Sequence, residues 1–426
     1  MFDYPNNLNK IFDKLKKNSI KPIIVGGYVR DSLMNIDSQQ KNRSQRCCFS
    51  KDIDIELYGI ESLDELESIL NEFGDINSVG KSFGVCKLNF QNYEIDFTLP
   101  RSDNKISSGH KGFDIKVLPY SDYKDAAIRR DFTINSIGYD VIEKKILDPF
   151  NGQADLKNKI LRAVNIDTFV EDPLRVFRAV QFSARFDFKL DNELFSLCKN
   201  MSDENLFKEL AVERIFEEIK KLLLKSKKPS IGFRLLKDLN SLKYFPPLET
   251  LNYSSFDKIN KILDNLVKYR TDSEYINTVL MLSALCYEFD NKQKSEFVLN
   301  LTNEKRILKD ITALTKHRFK KSYTDPELFR LAVDVNIQHY LLLNRAVHRE
   351  YDDSVFTIIE KRAKELNIFN QKAKPFLSGK DILKFGIEPS KRYSDILNKA
   401  YQQQMDLKIK NKQEAIKWLK KELLLS

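Results

Sequence analysis

The chain has 426 residues, 42% of them hydrophobic, and 71 Lys and Arg against 61 Asp and Glu give it a net charge of +10. That length exceeds one compact core and predicts about 2 to 4 domains, while the basic balance favours a polyanionic partner such as nucleic acid. Five cysteines with no CxxC pair or disulfide ladder argue against structural zinc and fit a reducing cytosol; no run nears the ~18 apolar residues of a membrane span, and the N-terminus lacks the apolar core of a signal peptide. The expectation is a soluble, cytoplasmic protein.

In chain order, "KPIIVGG" (21–27) reads as a strand and a helix follows at about 28–35. "DIDIELYG" (52–59) is a second strand, followed by a helix at 61–73 and strands at "VCKLNF" (85–90) and "YEIDFTL" (93–99). The polar, glycine-dotted stretch 102–128 reads as a loop, with His110 on its surface, and "SIGYDVIEKKILDPF" (136–150) returns to strand. From about 153 onward apolar residues recur at three and four spacing and strand signals vanish, which predicts helix for the remaining two thirds. In "VERIFEEIKK" (212–221), for example, Ile215, Phe216 and Ile219 share a buried face. Pro and turn clusters at "KSKKPS", "YFPPLE", "YTDPE" and "AKPFLSG" supply joints, and no fixed-period repeat is visible.

Four stretches carry chemistry. Gly26 and Gly27, between a strand and a helix start, let the backbone approach a bulky anion, and the helix N-terminus offers N–H groups to a phosphate. In "KDIDIELYG" (51–59) a period of two turns Ile53, Ile55 and Leu57 to one face and Asp52, Asp54 and Glu56 to the other. Such a face is either merely solvated or a divalent metal site; Mg²⁺ is held by one or two carboxylates plus substrate phosphates, and Asp52 and Asp54 are the candidate ligands. Glu56 reads as a solvated or structural acid. In "RRDFTIN" (129–135), Arg129 and Arg130 are forks suited to phosphate oxygens, while Asp131 and Asn135 can bond ribose hydroxyls. In "EDPLR" (171–175), Asp172 and Arg175 stand three apart at a helix start and can reach one base edge together. An acceptor beside donors suits cytosine and adenine, whose amino donor adjoins a ring acceptor; guanine and uracil present the reverse order.

The glycine pair followed by an Asp-x-Asp strand resembles the signature of the DNA polymerase beta nucleotidyltransferase superfamily. The segments 129–140, 148–164, 171–188 and 209–223 then follow in the order and spacing of class II tRNA nucleotidyltransferases, the bacterial and eukaryotic CCA-adding enzymes, whose close relatives are the bacterial poly(A) polymerases. "FLSGKDILKFGIEPSKRYSDIL" (376–397) is similar to their tail.

The resemblance implies an α+β protein: a polymerase-beta-like head at 1–152 with a small mixed sheet, then an elongated all-helical neck (153–225), body (226–320) and tail (321–426). It implies template-independent addition of CCA to tRNA from CTP and ATP with Mg²⁺, and neither a membrane nor a stable protein partner is expected. Asp96, rather than Glu94, is the choice for a third catalytic carboxylate beside Asp52 and Asp54. Nucleotide binding falls to Gly26, Gly27, Arg30, Arg129, Arg130, Asp131, Asn135, Asp172, Arg175 and Arg178, with Arg178 serving either the base pocket or the triphosphate. Glu171 would orient Arg175, Glu213 and Arg214 would support the neck, and the 102–128 loop would switch addition from C to A. Basic helical stretches such as "KHRFKK" could follow the tRNA backbone toward its elbow. Cys286 and Tyr287 stand where some relatives carry a His-Asp pair, so a phosphohydrolase activity is not expected. The 37–50 segment reads as a basic surface insertion. Partial addition, of CC or of A alone, and poly(A) synthesis are the rival functions.

Overall fold

A computed structural model describes residues 2, 4–39, 52–77, 85–105, 113–385 and 391–424, which form two compact units, Met1–Tyr244 and Phe245–Ser426. His110 and, from residue 40 on, the 37–50 insertion with Cys47 and Cys48 lie outside the described residues.

The first unit is built on a seven-stranded mixed sheet. Its strands are β1 (Lys21–Val25), β2 (Asp52–Tyr58), β3 (Ile76–Asn77), β4 (Val85–Phe90), β5 (Tyr93–Thr98), β8 (Gly138–Asp140) and β9 (Lys145–Leu147), in the order β3-β4-β5-β2-β1-β8-β9. Only β2 and β5 pair in parallel, which aligns Asp52 with Glu94 and Asp54 with Asp96. The period-two pattern is what sets the faces: Ile53, Ile55, Leu57, Ile95 and Phe97 are buried beneath the sheet, so the acids of both strands share the opposite face. β1 is central and apolar on both faces, with Ile23, Ile24 and Val25 buried.

Helices α1 (Asn9–Lys17), α2 (Gly27–Gln39), α3 (Leu63–Leu70), α4 (Tyr123–Ala127) and α5 (Gly152–Asn158) accompany the sheet. After them come α6 (Ile166–Phe169), α7 (Leu174–Phe186), α8 (Asn192–Asp203), α9 (Val212–Lys225) and α10 (Pro229–Asp238). α7 packs on α9 and α10, and Val176, Phe177 and Val180 of α7 and Phe216 and Leu222 of α9 are buried. Phe216 and Ile219 are buried as the spacing predicts, Ile215 only partly, and the acid Glu218 joins them.

Two expectations need correction. The 102–128 stretch is not simply a loop: β6 (Arg101–Lys105) and β7 (Phe113–Val117) pair antiparallel across it. The polar, glycine-dotted composition hides them, because the alternation of Phe113, Ile115 and Val117 is too short a run to stand out. Strand also persists past 153, as β10 (Ile160–Leu161) pairs in parallel with β11 (Lys189–Leu190), a two-residue ladder too short to leave a periodic signal.

The second unit is helical: α11 (Pro246–Glu249), α12 (Tyr253–Leu266), α13 (Glu274–Leu285), α14 (Asn291–Leu299), α15 (Lys305–Leu314), α16 (Asp325–Asp334), α17 (Ile337–Val347), α18 (Asp353–Glu365), α19 (Gly379–Leu383), α20 (Lys391–Met405) and α21 (Lys412–Leu424). Side-chain caps fix many of the starts, including Asn252, Ser273, Asp290, Asn336 and Asp352. Cys86, Cys198 and Cys286 are free thiols, all buried. No helix among the described residues is long and apolar enough to cross a membrane.

The "RRDFTIN" turn rests directly on α5. A Cβ at Gly152 would stand 2.2 Å from the Thr133 carbonyl oxygen and 2.7 Å from Ile137 Cγ1, and backbone cannot yield as a side chain does. Gly152→Ala should therefore cost about 1–3 kcal/mol, and at about 2–4 °C per kcal/mol calorimetry should register a clear fall in Tm. An unchanged Tm would show that the turn can move.

Candidate active site

The site begins at the end of β1. Gly26 has φ +68°, in the left-handed region that favours glycine, and a Cβ there would lie 3.5 Å from Asp54 Oδ2 and 3.6 Å from Arg130 Nη1. Gly27 opens α2, so the glycine turn, the helix N-terminus and Asp54 meet at one place.

Asp52 and Asp54 are exposed on β2, and Asp96 stands beside Asp54 on β5. Crowding by protein mass raises the pKa of Asp54 even though its side chain opens to solvent; Arg130 opposes the rise, and Asp96 and Asp52 add to it. These are oxygen donors only, the set a hard divalent cation takes. Among the described residues no three His, Cys, Asp or Glu side chains are disposed to hold a metal ion together. Asp52 and Asp54 offer two carboxylates on one face, and Asp96 Oδ2 is engaged by Lys87 Nζ at 2.8 Å.

Glu56 continues the acidic face but is fully buried. Its Oε1 accepts from Tyr58 Oη at 2.6 Å, and its Oε2 from Arg129 Nη2 at 3.2 Å and Arg130 Nη2 at 3.3 Å. It is a structural acid, and a dry one. Arg129 is turned to that anchor, whereas Arg130 also reaches the cleft.

That cleft encloses about 430 Å³ and is lined by Gly26, Gly27, Arg30, Asp54, Arg130, Asp131, Asn135, Asp172, Arg175, Arg178, Phe182 and Arg185. At its floor Asp131 Oδ2 accepts from Arg178 Nε at 2.7 Å and Nη2 at 2.6 Å, and Oδ1 accepts from Asn135 Nδ2 at 2.9 Å. Asn135 Oδ1 in turn accepts from Arg30 Nη1 at 2.6 Å, and the buried Arg30 lies over the Phe182 and Phe186 rings. The chain Arg178–Asp131–Asn135–Arg30 joins α7 to the start of α2.

Asp172 and Arg175 line the same wall, joined by the Arg175 amide donating to the Asp172 carbonyl at 3.0 Å but with no ion pair between their side chains. Asp172 Oδ1 accepts from the Leu174 amide at 3.2 Å, holding the start of α7, and Oδ2 accepts from Arg214 Nη2 at 3.1 Å. Arg175 donates from Nη1 to the Thr168 carbonyl at 2.6 Å and from Nη2 to the Arg129 carbonyl at 2.7 Å. Two of its five N–H groups thus fix the guanidinium plane. Sequence reasoning missed Phe182 and Arg185 and gave Arg214 only a supporting place in the neck. The signal was available: 175, 178, 182 and 185 recur at three, four and three, one stripe of α7.

A glycine turn facing an acidic strand in a small mixed sheet, with a helical wall of arginines, is the site of a nucleotidyltransferase. Residues 23–162 match the family described as the Poly A polymerase head domain, and 187–251 match the probable RNA- and SrmB-binding site of polymerase A. The chain is 33% identical over 324 residues to the CCA-adding enzyme of Francisella tularensis subsp. tularensis, covering 75% of this chain and 81% of that one. It is 31% identical over 280 residues to the multifunctional CCA protein of Mannheimia succiniciproducens, covering 62% and 61% of the two chains. The fold matches that of the Bacillus stearothermophilus CCA-adding enzyme in complex with CTP, with a TM-score of 0.75, 19% identity and 99% of each chain covered. The Thermotoga maritima CCA-adding enzyme complexed with tRNA gives a TM-score of 0.61 at 20% identity, covering 99% of this chain and 97% of that one. The chain belongs to the family of the CCA-adding enzymes, whose chemistry implies a divalent metal.

Burial opposes ionisation of Asp131, yet Arg178 and Asn135 hold its pKa below the ordinary carboxylate value. Its contribution to stability is complete above the unfolded pKa of about 4 and is lost as pH falls through the lower folded value. Denaturant melts of Asp131→Asn should therefore lose less stability than the wild type between about pH 5 and pH 2. Equal losses would remove Asp131 from the acid response.

Proposed function

We propose that this protein adds or repairs the 3′-terminal CCA of tRNA from CTP and ATP, working in the cytoplasm with Mg²⁺. The observation that carries the reading is the single cleft in which the Gly26–Gly27 turn and Asp54 face Asp172, Arg175 and Arg178. In this reading 1–152 is the catalytic head, 153–225 the base-reading neck, 226–320 the body and 321–426 the tRNA-binding tail.

The reaction joins the 3′-hydroxyl oxygen of the RNA to the α-phosphorus of the nucleotide, breaks the bond to the β-phosphate oxygen and releases pyrophosphate. Asp52 and Asp54 would hold Mg²⁺, with Asp96 as a third carboxylate. Bound Mg²⁺ supplies charge neutralisation for the leaving pyrophosphate and lowers the pKa of the attacking hydroxyl. Gly26 and Gly27 let the phosphates approach the backbone, and Arg130 offers a fork to their oxygens. Asp131 and Asn135, already ordered by Arg178 and Arg30, present acceptor and donor groups to a ribose. Base choice falls to Asp172 and Arg175. Arg214 and the two backbone carbonyls hold them before substrate arrives, so a guanine or uracil edge would leave their groups unpaired, a mismatch that can support discrimination of about 10⁴. Side chains would thus stand in for a nucleic-acid template.

Purified protein incubated with Mg²⁺ and tRNA trimmed of its 3′ end should add two C residues from CTP alone and CCA when ATP is also present. Long A tracts from ATP alone would mark a poly(A) polymerase instead, and addition stopping at CC with both nucleotides present, or limited to A, would mark a partial enzyme. Asp54→Ala should abolish transfer while leaving tRNA affinity nearly unchanged, and Asp172→Ala should relax base choice while transfer survives. Full activity of the Asp54 variant would sink the metal assignment.

A further inference from the structure

The acidic face holds a cation of its own. β4 and β5 pair antiparallel with Lys87 opposite Asp96, and β5 and β2 pair in parallel with Asp96 beside Asp54. Cross-strand partners project from the same face, so Lys87, Asp96 and Asp54 form one row and Asn89, Glu94 and Asp52 the next. Lys87 Nζ lies 2.8 Å from Asp96 Oδ2, with half of its side chain exposed.

An exposed pair of this kind adds little to stability, with a median of about 0–1 kcal/mol, so holding the fold together is a weak reason for its place. Its effect on an incoming cation is much larger. The lysine occupies a carboxylate oxygen that a metal would need and sets a like charge beside the metal's position. Its long, half-exposed stem lets it swing away without moving the sheet.

We infer that Lys87 is a displaceable counter-ion: it holds Asp96 in the resting site, where no three described carboxylates converge on one metal position, and must leave before Asp96 can turn to join Asp52 and Asp54 around a divalent cation. Until it does, the metal is held by two carboxylates against a neighbouring ammonium, and affinity is low. A bound nucleotide changes both conditions, since its phosphates complete the metal's oxygen shell and give the released ammonium a new anionic partner. The site therefore takes its metal together with the nucleotide rather than storing it beforehand. This inference rests on the metal reading of Asp52 and Asp54.

The test uses Mn²⁺ as the probe and the full chain without nucleotide, with free Mn²⁺ followed by electron paramagnetic resonance. Removing one nearby positive charge should tighten binding of a divalent ion about tenfold, so Lys87→Met should bind Mn²⁺ about ten times more tightly than wild type. Lys87→Arg, which keeps the charge, should bind close to wild type, and added CTP should narrow the gap between Lys87→Met and wild type. If Asp54→Ala loses Mn²⁺ binding but Lys87→Met binds no tighter than wild type, the metal reading stands and the inference is overturned. If Asp54→Ala binds Mn²⁺ as wild type does, the metal reading falls and takes the inference with it.

Discussion

Glu56 is fully buried on the face of β2 that carries the exposed Asp52 and Asp54, and it accepts from Tyr58, Arg129 and Arg130. A buried carboxylate without such partners would be intolerable, and the two half-buried arginines would lose their shared counter-charge. The bracket therefore fixes where the "RRDFTIN" turn must start. Every later residue of the cleft floor depends on that start, because Asp131 and Asn135 follow within one turn and Arg175 is pinned by the Arg129 carbonyl.

From this anchor the arginines divide by task. Arg129 serves the anchor, Arg30 and Arg178 order the floor through Asn135 and Asp131, and Arg214 holds Asp172 from α9. Arg130 belongs both to the anchor and to the cleft. Fixed in this way, the polar groups pay little reorganisation when charge arrives, which is how a protein surface can act as a template.

The parts of the fold that were legible in the sequence are those where burial imposes a period. β2 and β5 alternate because one face is packed, and α7 and α9 repeat at three and four because one stripe is packed. β6 and β7 escaped because the alternation of Phe113, Ile115 and Val117 is a short run inside a polar stretch, and β10 and β11 because each is two residues long. The cleft was legible in part, since the glycine turn, Asp54 of β2 and the start of α7 line it, whereas Asp52 and Asp96 stand outside its lining. Their partners were not legible. Nothing local to "DIDIELYG" says that its third acid is dry, because the arginines that bury it lie 73 and 74 positions away. Spacing likewise placed Asp172 and Arg175 on one face but could not show that Arg214 holds the first and the Thr168 carbonyl the second.

The small ladder of β10 and β11 has a wider effect than its two residues suggest. The Lys189 amide donates to the Lys159 carbonyl at 3.0 Å and the Asp191 amide to the Leu161 carbonyl at 2.9 Å, while Arg162 pairs with Asp191. These bonds stitch together the two ends of the segment that holds α6 and α7. A closed loop of this kind has its closure entropy settled before any ligand binds, and it opens as one cooperative piece rather than fraying from an end. The wall that carries Asp172 and Arg175 is thereby made to keep or lose its shape as a whole.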